Sequence, residues 1–157
     1  MLAVLMLISI GLLFTGCKSQ QPPTADITEA RPVASAPKVL AGGEAQYFDF
    51  NQAQYEEALN SDKLVMLYFY ADWCPVCRFE VKRLKEAFDE LETDGVVGFQ
   101  VNYNDKYTEA DEKKLAQEFG VAYQHTKVFL KNGKRVLKSP ESWGKERYLE
   151  EFNNFID

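Results

Sequence analysis

A run of eight apolar residues that ends just before two closely spaced cysteines limits most strongly what this chain can fold into. Residues 64–71 read LVMLYFYA, and Cys74-Pro75-Val76-Cys77 follow after two intervening residues. The run has the length of a strand and contains β-branched and aromatic side chains, so it predicts a central strand that is covered on both faces. Pro75 suits the first turn of a helix, because its missing N–H and fixed φ cost little there. The sequence therefore predicts a strand, a cysteine motif and a helix in direct succession.

The pattern on either side of this motif predicts one α/β domain. Apolar residues from Cys77 to Leu91 recur at steps of four and three, which indicates one face of a helix running to about residue 92. The other predicted elements are a strand at 46–50, a helix at 52–60, a strand at 96–103, a helix capped by Thr108 and ending at Gly120, strands at 127–130 and 135–138 around an Asn132-Gly133 turn, and a last helix capped by Ser142. The predicted order is β-α-β-α-β-α-β-β-α.

The two cysteines have the spacing of a redox pair. At a helix start, Cys74 faces unpaired backbone N–H groups and the positive end of the helix dipole, which favour a thiolate. Cys77, three residues on, faces the same side and can displace a substrate held on Cys74. Trp73 can shield one side of the pair or simply pack in the core. A zinc half-site is the competing interpretation, but structural zinc takes four protein ligands and the sequence has no second C-x-x-C; an inert pair is a third.

The first 17 residues have the pattern of a targeting segment. Residues 1–14 are apolar and uncharged, yet too short for a typical membrane span. They end in Phe14-Thr15-Gly16-Cys17, which resembles a bacterial lipobox and predicts a signal peptide with Cys17 as the lipidated residue. Two features depart from that pattern, because Phe14 stands where Leu is usual and no Lys or Arg precedes the apolar run. An ordinary signal peptide or a poor membrane anchor is the alternative.

Residues 18–44 are rich in Pro, Ala, Ser, Thr and Gln without apolar periodicity, which predicts a flexible linker before a domain at 45–157. The leader predicts a membrane-anchored lipoprotein outside the cytoplasm, on the periplasmic or cell-surface side, where disulfides exist. The formal net charge of −6 argues against nucleic acid as a partner.

Several segments of residues 45–157 resemble thioredoxin: YADWCPVC after the apolar strand, FGV before a strand, and KNGK in a hairpin. The segment LYFYADWCPVCRFEVKRL is most similar to the C-terminal thioredoxin-like domain of DsbD-type periplasmic thiol reductases. The resemblance implies the thioredoxin fold, a central mixed β-sheet flanked by helices. It also implies Cys74 as exposed nucleophile, Cys77 as buried resolving thiol, and the Cys74–Cys77 disulfide in place of any cofactor. Protein thiols and disulfides are the implied substrates and a membrane thiol reductase the implied electron donor, while the direction of electron flow stays open.

One departure from the family concerns the residue beneath the cysteines. Thioredoxins bury an acidic residue there, whereas counting back from Trp73 places Tyr68 at that position. Proton transfer to and from Cys77 must then use another group or water.

The second departure lies before the hairpin, where the family has a cis-proline followed by Thr and this chain has His125-Thr126. A cis bond before a residue other than proline costs about 2.5–4 kcal/mol, so we expect a trans bond. His125 can point to solvent or hydrogen-bond locally, stabilise the Cys74 thiolate or contact substrate, or join Cys74 and Cys77 in a three-ligand copper or zinc site. A metal-binding protein or metallochaperone is thus the alternative to an enzyme, and a non-catalytic binding module is a further one.

Overall fold

The computed structural model describes residues 36–156; the predicted signal peptide, Cys17 and most of the predicted linker lie outside this range. The strands are β1 (Val39–Ala41), β2 (Gln46–Asp49), β3 (Leu64–Tyr70), β4 (Val96–Asn102), β5 (Thr126–Lys131) and β6 (Lys134–Ser139). The helices are α1 (Gln52–Leu59), α2 (Pro75–Glu90), α3 (Ala110–Glu118) and α4 (Lys145–Phe155).

The strands form one mixed sheet in the order β1-β2-β4-β3-β5-β6. β3 pairs in parallel with β4 and antiparallel with β5, so it lies inside the sheet, and six of its seven residues are buried. The predicted central strand is confirmed. The β5–β6 hairpin turns at Asn132 and Gly133, both with positive φ (52° and 69°), as the Asn-Gly pair predicted.

The structure differs from the prediction at the start of the domain. β1 lies within the range that the sequence analysis assigned to the linker, and it pairs antiparallel with β2 through Val39 and Phe48. A strand this short carries no readable alternation, and its stability comes from the partner strand rather than from its own composition.

Two predicted helix caps are wrong by one or two residues. α3 is capped by Glu109 rather than Thr108, because the Glu112 side chain accepts a hydrogen bond from the Glu109 backbone N–H (2.8 Å). α4 is capped by Gly144 rather than Ser142, and the Ser142 hydroxyl instead donates to a buried carboxylate, that of Glu80 (3.3 Å).

Each face of the sheet has its own core. One face, which we call the apolar face, packs against α1 and α3, and its buried residues from β3 are Val65, Leu67 and Phe69. The other, which we call the cysteine face, packs against α2 and α4, and its buried residues from β3 are Leu64, Met66 and Tyr68. A Cβ on Gly98 would lie 2.5 Å from the Phe88 ring and 2.8 Å from the Tyr47 ring, so this face admits only glycine at that point in β4 without rearrangement.

Among residues 36–156, no helix combines the length and the apolar character that crossing a membrane requires.

Candidate active site

The cysteine pair lies at the N-terminus of α2. Cys74 is the N-cap residue, with extended backbone angles (φ −83°, ψ 114°), and Pro75 occupies the first helical turn as predicted. The Cys77 backbone N–H donates to the Cys74 sulfur (3.2 Å), so the first turn of the helix directs a donor at that atom. Cys74 thus lies where the start of a helix presents an unpaired backbone donor.

Both sulfurs are more enclosed than the resemblance to thioredoxin implied. The structure holds Cys74 and Cys77 as free thiols with exposed fractions of 2% and 0%, so Cys74 is not an exposed nucleophile here. The Cys74 sulfur folds back over the first turn of α2 onto the Cys77 N–H, and a ring nitrogen of His125 lies within 4.8 Å of both sulfurs. The first turn of α2 and His125 thus account for part of the low exposure of Cys74.

The surface next to the pair is apolar. Trp73 is 53% exposed and its indole N–H donates to the Asn104 carbonyl (3.1 Å), so this side chain does not pack in the core. Val76 and Phe79, on the first turns of α2, are 42% and 66% exposed. Large apolar side chains at such exposure are available for contact with a partner.

Below the cysteines lies a buried carboxylate, Glu80, which is 1% exposed. Its side chain accepts hydrogen bonds from the Tyr68 hydroxyl (3.2 Å), the Lys127 ammonium (2.6 Å), the Ser142 hydroxyl (3.3 Å), the Trp143 backbone N–H (2.8 Å) and the Tyr148 hydroxyl (2.8 Å). Lys127, itself 0% exposed, also donates to the Glu141 carbonyl. We call Glu80, Lys127, Tyr68 and Tyr148 the buried polar cluster. Because each buried charge has an opposite charge and further hydrogen bonds, the cluster is tolerated inside the core.

The surroundings of Cys77 determine the pKa of its thiol. Burial raises the pKa of the Cys77 thiol to about 12, while a hydrogen bond with Tyr68 acts in the opposite direction. Burial also raises the pKa of the Tyr68 hydroxyl, so this group stays protonated, and it lowers the pKa of Lys127, an effect that the neighbouring Glu80 opposes. Tyr68 thus lies close enough to influence Cys77, and its hydroxyl donates to Glu80.

A backbone hydrogen bond to the end of β3 holds His125 beside the cysteine pair. Its φ of 55° lies in the left-handed region, and its backbone N–H donates to the Phe69 carbonyl at the end of β3 (2.7 Å). The described residues contain no cis peptide bond, so the predicted trans bond at His125 is confirmed. Thr126 is buried and its hydroxyl donates to the Tyr123 carbonyl (2.7 Å), a local structural contact.

One ring nitrogen of His125 has no partner: Nδ1 is buried and makes no hydrogen bond among residues 36–156. Burial lowers the pKa of His125, which favours the neutral ring. The residue as a whole is half-buried, and its Nδ1 faces the interior rather than solvent.

With this geometry established, comparison with known proteins gives the family. The AhpC/TSA family model matches residues 36–136, which is more than half of the chain. This chain belongs to the AhpC/TSA family. Thioredoxin from Malassezia sympodialis is 30% identical over 83 residues, which are 53% of this chain and 73% of that protein. Protein disulfide-isomerase from Gallus gallus is 29% identical over 94 residues, 60% of this chain but only 18% of that protein.

Solved structures give the same fold for this AhpC/TSA-family chain. Trxlp from Edwardsiella tarda has a TM-score of 0.56 at 27% identity, over 66% of this chain and 95% of that one. The Malassezia sympodialis thioredoxin has a TM-score of 0.54 at 22% identity, over 68% of this chain and 89% of that one. The predicted thioredoxin fold is confirmed, and so is membership of the thioredoxin-like family.

Sequence reasoning missed three residues of this AhpC/TSA-family site: Glu80, Lys127 and Tyr148. The helical face from Cys77 to Leu91 is defined by its apolar residues, so it does not include the acidic residue three positions after Cys77. A usable signal was present, because Glu80 lies at helical spacing from both Cys77 and Leu84, and Lys127 stands beside the apolar β5 run Val128, Phe129 and Leu130. An acid and a base on two apolar faces are expected to pair.

Proposed function

We propose that this chain is a thiol-disulfide oxidoreductase that acts on protein disulfides or dithiols outside the cytoplasm, with Cys74 and Cys77 as its redox pair. The observation that carries the proposal is the arrangement of the pair at the start of α2, where the Cys77 N–H donates to the Cys74 sulfur. Membership of a thioredoxin-like family, with thioredoxins and disulfide-isomerases among the relatives, supports it.

In the reductive direction, the Cys74 thiolate attacks one sulfur of a substrate disulfide. A Cys74–substrate bond forms, the substrate S–S bond breaks, and the first substrate thiolate takes up a proton. Cys77 then loses its proton and attacks Cys74, which forms the Cys74–Cys77 disulfide and releases the second substrate thiol. The reverse sequence oxidises a substrate dithiol.

The buried polar cluster supplies the route for the Cys77 proton in this cycle. Cys77 must be deprotonated to attack, and its burial opposes this. Tyr68 interacts with Cys77 and donates to Glu80 Oε2 (3.2 Å). A proton can therefore leave Cys77 through Tyr68 toward Glu80, the group that replaces the acid expected at position 68.

The exposed apolar side chains beside the pair fit a protein substrate. Trp73, Val76 and Phe79 offer contact area around the sulfurs, and aromatic anchors of this kind contribute strongly to protein–protein contacts. The redox pair needs no bound cofactor, since electrons enter and leave as thiol and disulfide.

Trapping the mixed disulfide tests the reaction. The reduced Cys77→Ala variant, incubated with a model protein that contains an accessible disulfide, should accumulate a covalent adduct through Cys74 that non-reducing electrophoresis and mass spectrometry detect. Cys74→Ala should give none, and Cys17→Ser should behave like the unaltered chain. An equal yield of adduct from Cys74→Ala would contradict the assigned roles.

We further propose that lipid on Cys17 anchors the domain to a membrane and that a membrane thiol reductase supplies its electrons. Phe14-Thr15-Gly16-Cys17 and the apolar leader support the anchor. Replacing Cys17 with Ser should move the protein from the membrane fraction to the soluble fraction of the cell envelope. Unchanged retention in the membrane fraction would exclude the anchor.

A further inference from the structure

Three side chains converge at the start of α2. Two of them, Cys74 and Cys77, take part in the proposed exchange reaction, and the third, His125, does not. The sulfurs of Cys74 and Cys77 and a ring nitrogen of His125 all lie within 4.8 Å of one another. Bond lengths of about 2.0–2.3 Å from a metal to nitrogen and sulfur would place such atoms about 3.5–4 Å apart. Small side-chain rotations are enough to bring the three atoms onto one ion.

The backbone of His125 is held in a defined conformation beside the two sulfurs. It lies in the left-handed region (φ 55°), where L-residues are uncommon, and is tied to Phe69 by a hydrogen bond of 2.7 Å. His125 Nδ1 is buried and has no hydrogen-bond partner among the described residues, so it is open to a ligand.

The proposed exchange reaction gives the buried Nδ1 no role. A buried acceptor without a hydrogen-bond partner costs about 1–3 kcal/mol. A ligand on Nδ1 would offset this cost.

The donor set selects the kind of metal. Two thiolates and one imidazole are soft to intermediate ligands, which favour Cu(I) and Zn(II) over the hard ions Mg²⁺ and Ca²⁺. Zn(II) requires a fourth ligand, whereas Cu(I) accepts three. With Cys74 and Cys77 at 2% and 0% exposure, a fourth ligand from solvent has little access, and the nearby Glu80 carboxylate is already engaged by five donors.

We propose that the reduced chain binds one Cu(I) ion through the Cys74 sulfur, the Cys77 sulfur and His125 Nδ1. On binding, the two thiols lose their protons to solvent, two Cu–S bonds and one Cu–N bond form, and no electron is transferred. The Cys74–Cys77 disulfide has no thiolates to offer, so the oxidised chain does not bind the ion. Bound Cu(I) therefore blocks thiol-disulfide exchange.

Titration of the reduced full chain with Cu(I) without oxygen, in competition with a chromophoric Cu(I) chelator, tests the site. We expect one equivalent to bind with a thiolate-to-copper absorption in the ultraviolet. His125→Asn should weaken binding at least 10-fold; Asn tolerates positive φ, so the backbone can persist. Cys74→Ser and Cys77→Ser should weaken it further, whereas Cys17→Ser should leave it unchanged. X-ray absorption of the copper-loaded unaltered chain should give two sulfur ligands and one imidazole.

The proposal is overturned if His125→Asn binds Cu(I) as tightly as the unaltered chain, if X-ray absorption gives only sulfur ligands, if Cys17→Ser abolishes binding, or if equimolar Zn(II) displaces the copper. These readouts need no exchange activity. Failure of the mixed-disulfide experiment therefore leaves the metal site standing, and failure of the metal site leaves exchange by the metal-free chain standing.

Discussion

The two faces of the sheet bury different kinds of side chain, although both draw on the same strand, β3. The side chains of β3 alternate, so Leu67 and Phe69 enter the apolar face while Tyr68 enters the cysteine face. The buried core residues of the apolar face are aliphatic and aromatic. The cysteine face encloses a carboxylate and an ammonium next to a reactive pair. The comparison predicts that a change on the apolar face affects stability, whereas a change on the cysteine face affects both stability and exchange.

The largest effect is expected from separating the buried charges. Lys127→Met keeps the length of the side chain but leaves the Glu80 carboxylate without its ammonium partner (2.6 Å in the structure). We expect the free energy of unfolding to fall by about 4 kcal/mol, because an unpaired buried charge is strongly unfavourable. Denaturant unfolding at neutral pH measures this loss.

Two further variants sharpen that measurement. Glu80→Gln combined with Lys127→Met removes both charges and should recover part of the lost stability, since no unpaired ion is left. Lys134→Met replaces an exposed lysine on β6 and should change stability by no more than about 0.5 kcal/mol. If Lys127→Met costs as little as Lys134→Met, the buried pair does not stabilise the fold.

The apolar face should respond to a cavity in stability alone. Leu67 is 0% exposed, and Leu67→Ala should lower the free energy of unfolding by about 3 kcal/mol through lost burial and an unfilled cavity. The rate of mixed-disulfide formation per folded molecule should stay within a factor of two. A much slower reaction of the folded variant would show that the two faces are coupled and that the contrast between them is too simple.

The same contrast explains what the sequence could and could not predict. The apolar run at 64–71 determined the central strand, and the position of Cys74 after it determined the helix start, because both are local signals. The partners of Glu80 come from residues 68, 127, 142, 143 and 148, which no local pattern links. Resemblance to thioredoxin predicts His125 beside the cysteines, but the burial of its unpaired Nδ1 depends on the folded chain around it and is seen only in the structure.

The smallest expected effect, and the sharpest comparison within the cysteine face, comes from two tyrosines that are both 0% exposed. The Tyr68 hydroxyl donates to Glu80, whereas the Tyr47 hydroxyl is buried without a hydrogen-bond partner among residues 36–156. Tyr68→Phe should lower the free energy of unfolding by about 2 kcal/mol, since a hydrogen bond to a charged group is lost. It should also lengthen the lifetime of the mixed disulfide, because the hydroxyl between Cys77 and Glu80 is lost.

Tyr47→Phe is the matched control. It should be neutral or slightly stabilising and leave exchange unchanged, because its ring stacking with Phe88 (5.2 Å) is retained and only an unsatisfied hydroxyl is removed. Stopped-flow decay of the mixed disulfide and denaturant unfolding of both variants measure the pair. Equal losses in the two would mean that ring burial, rather than the polar cluster, determines the behaviour of this face.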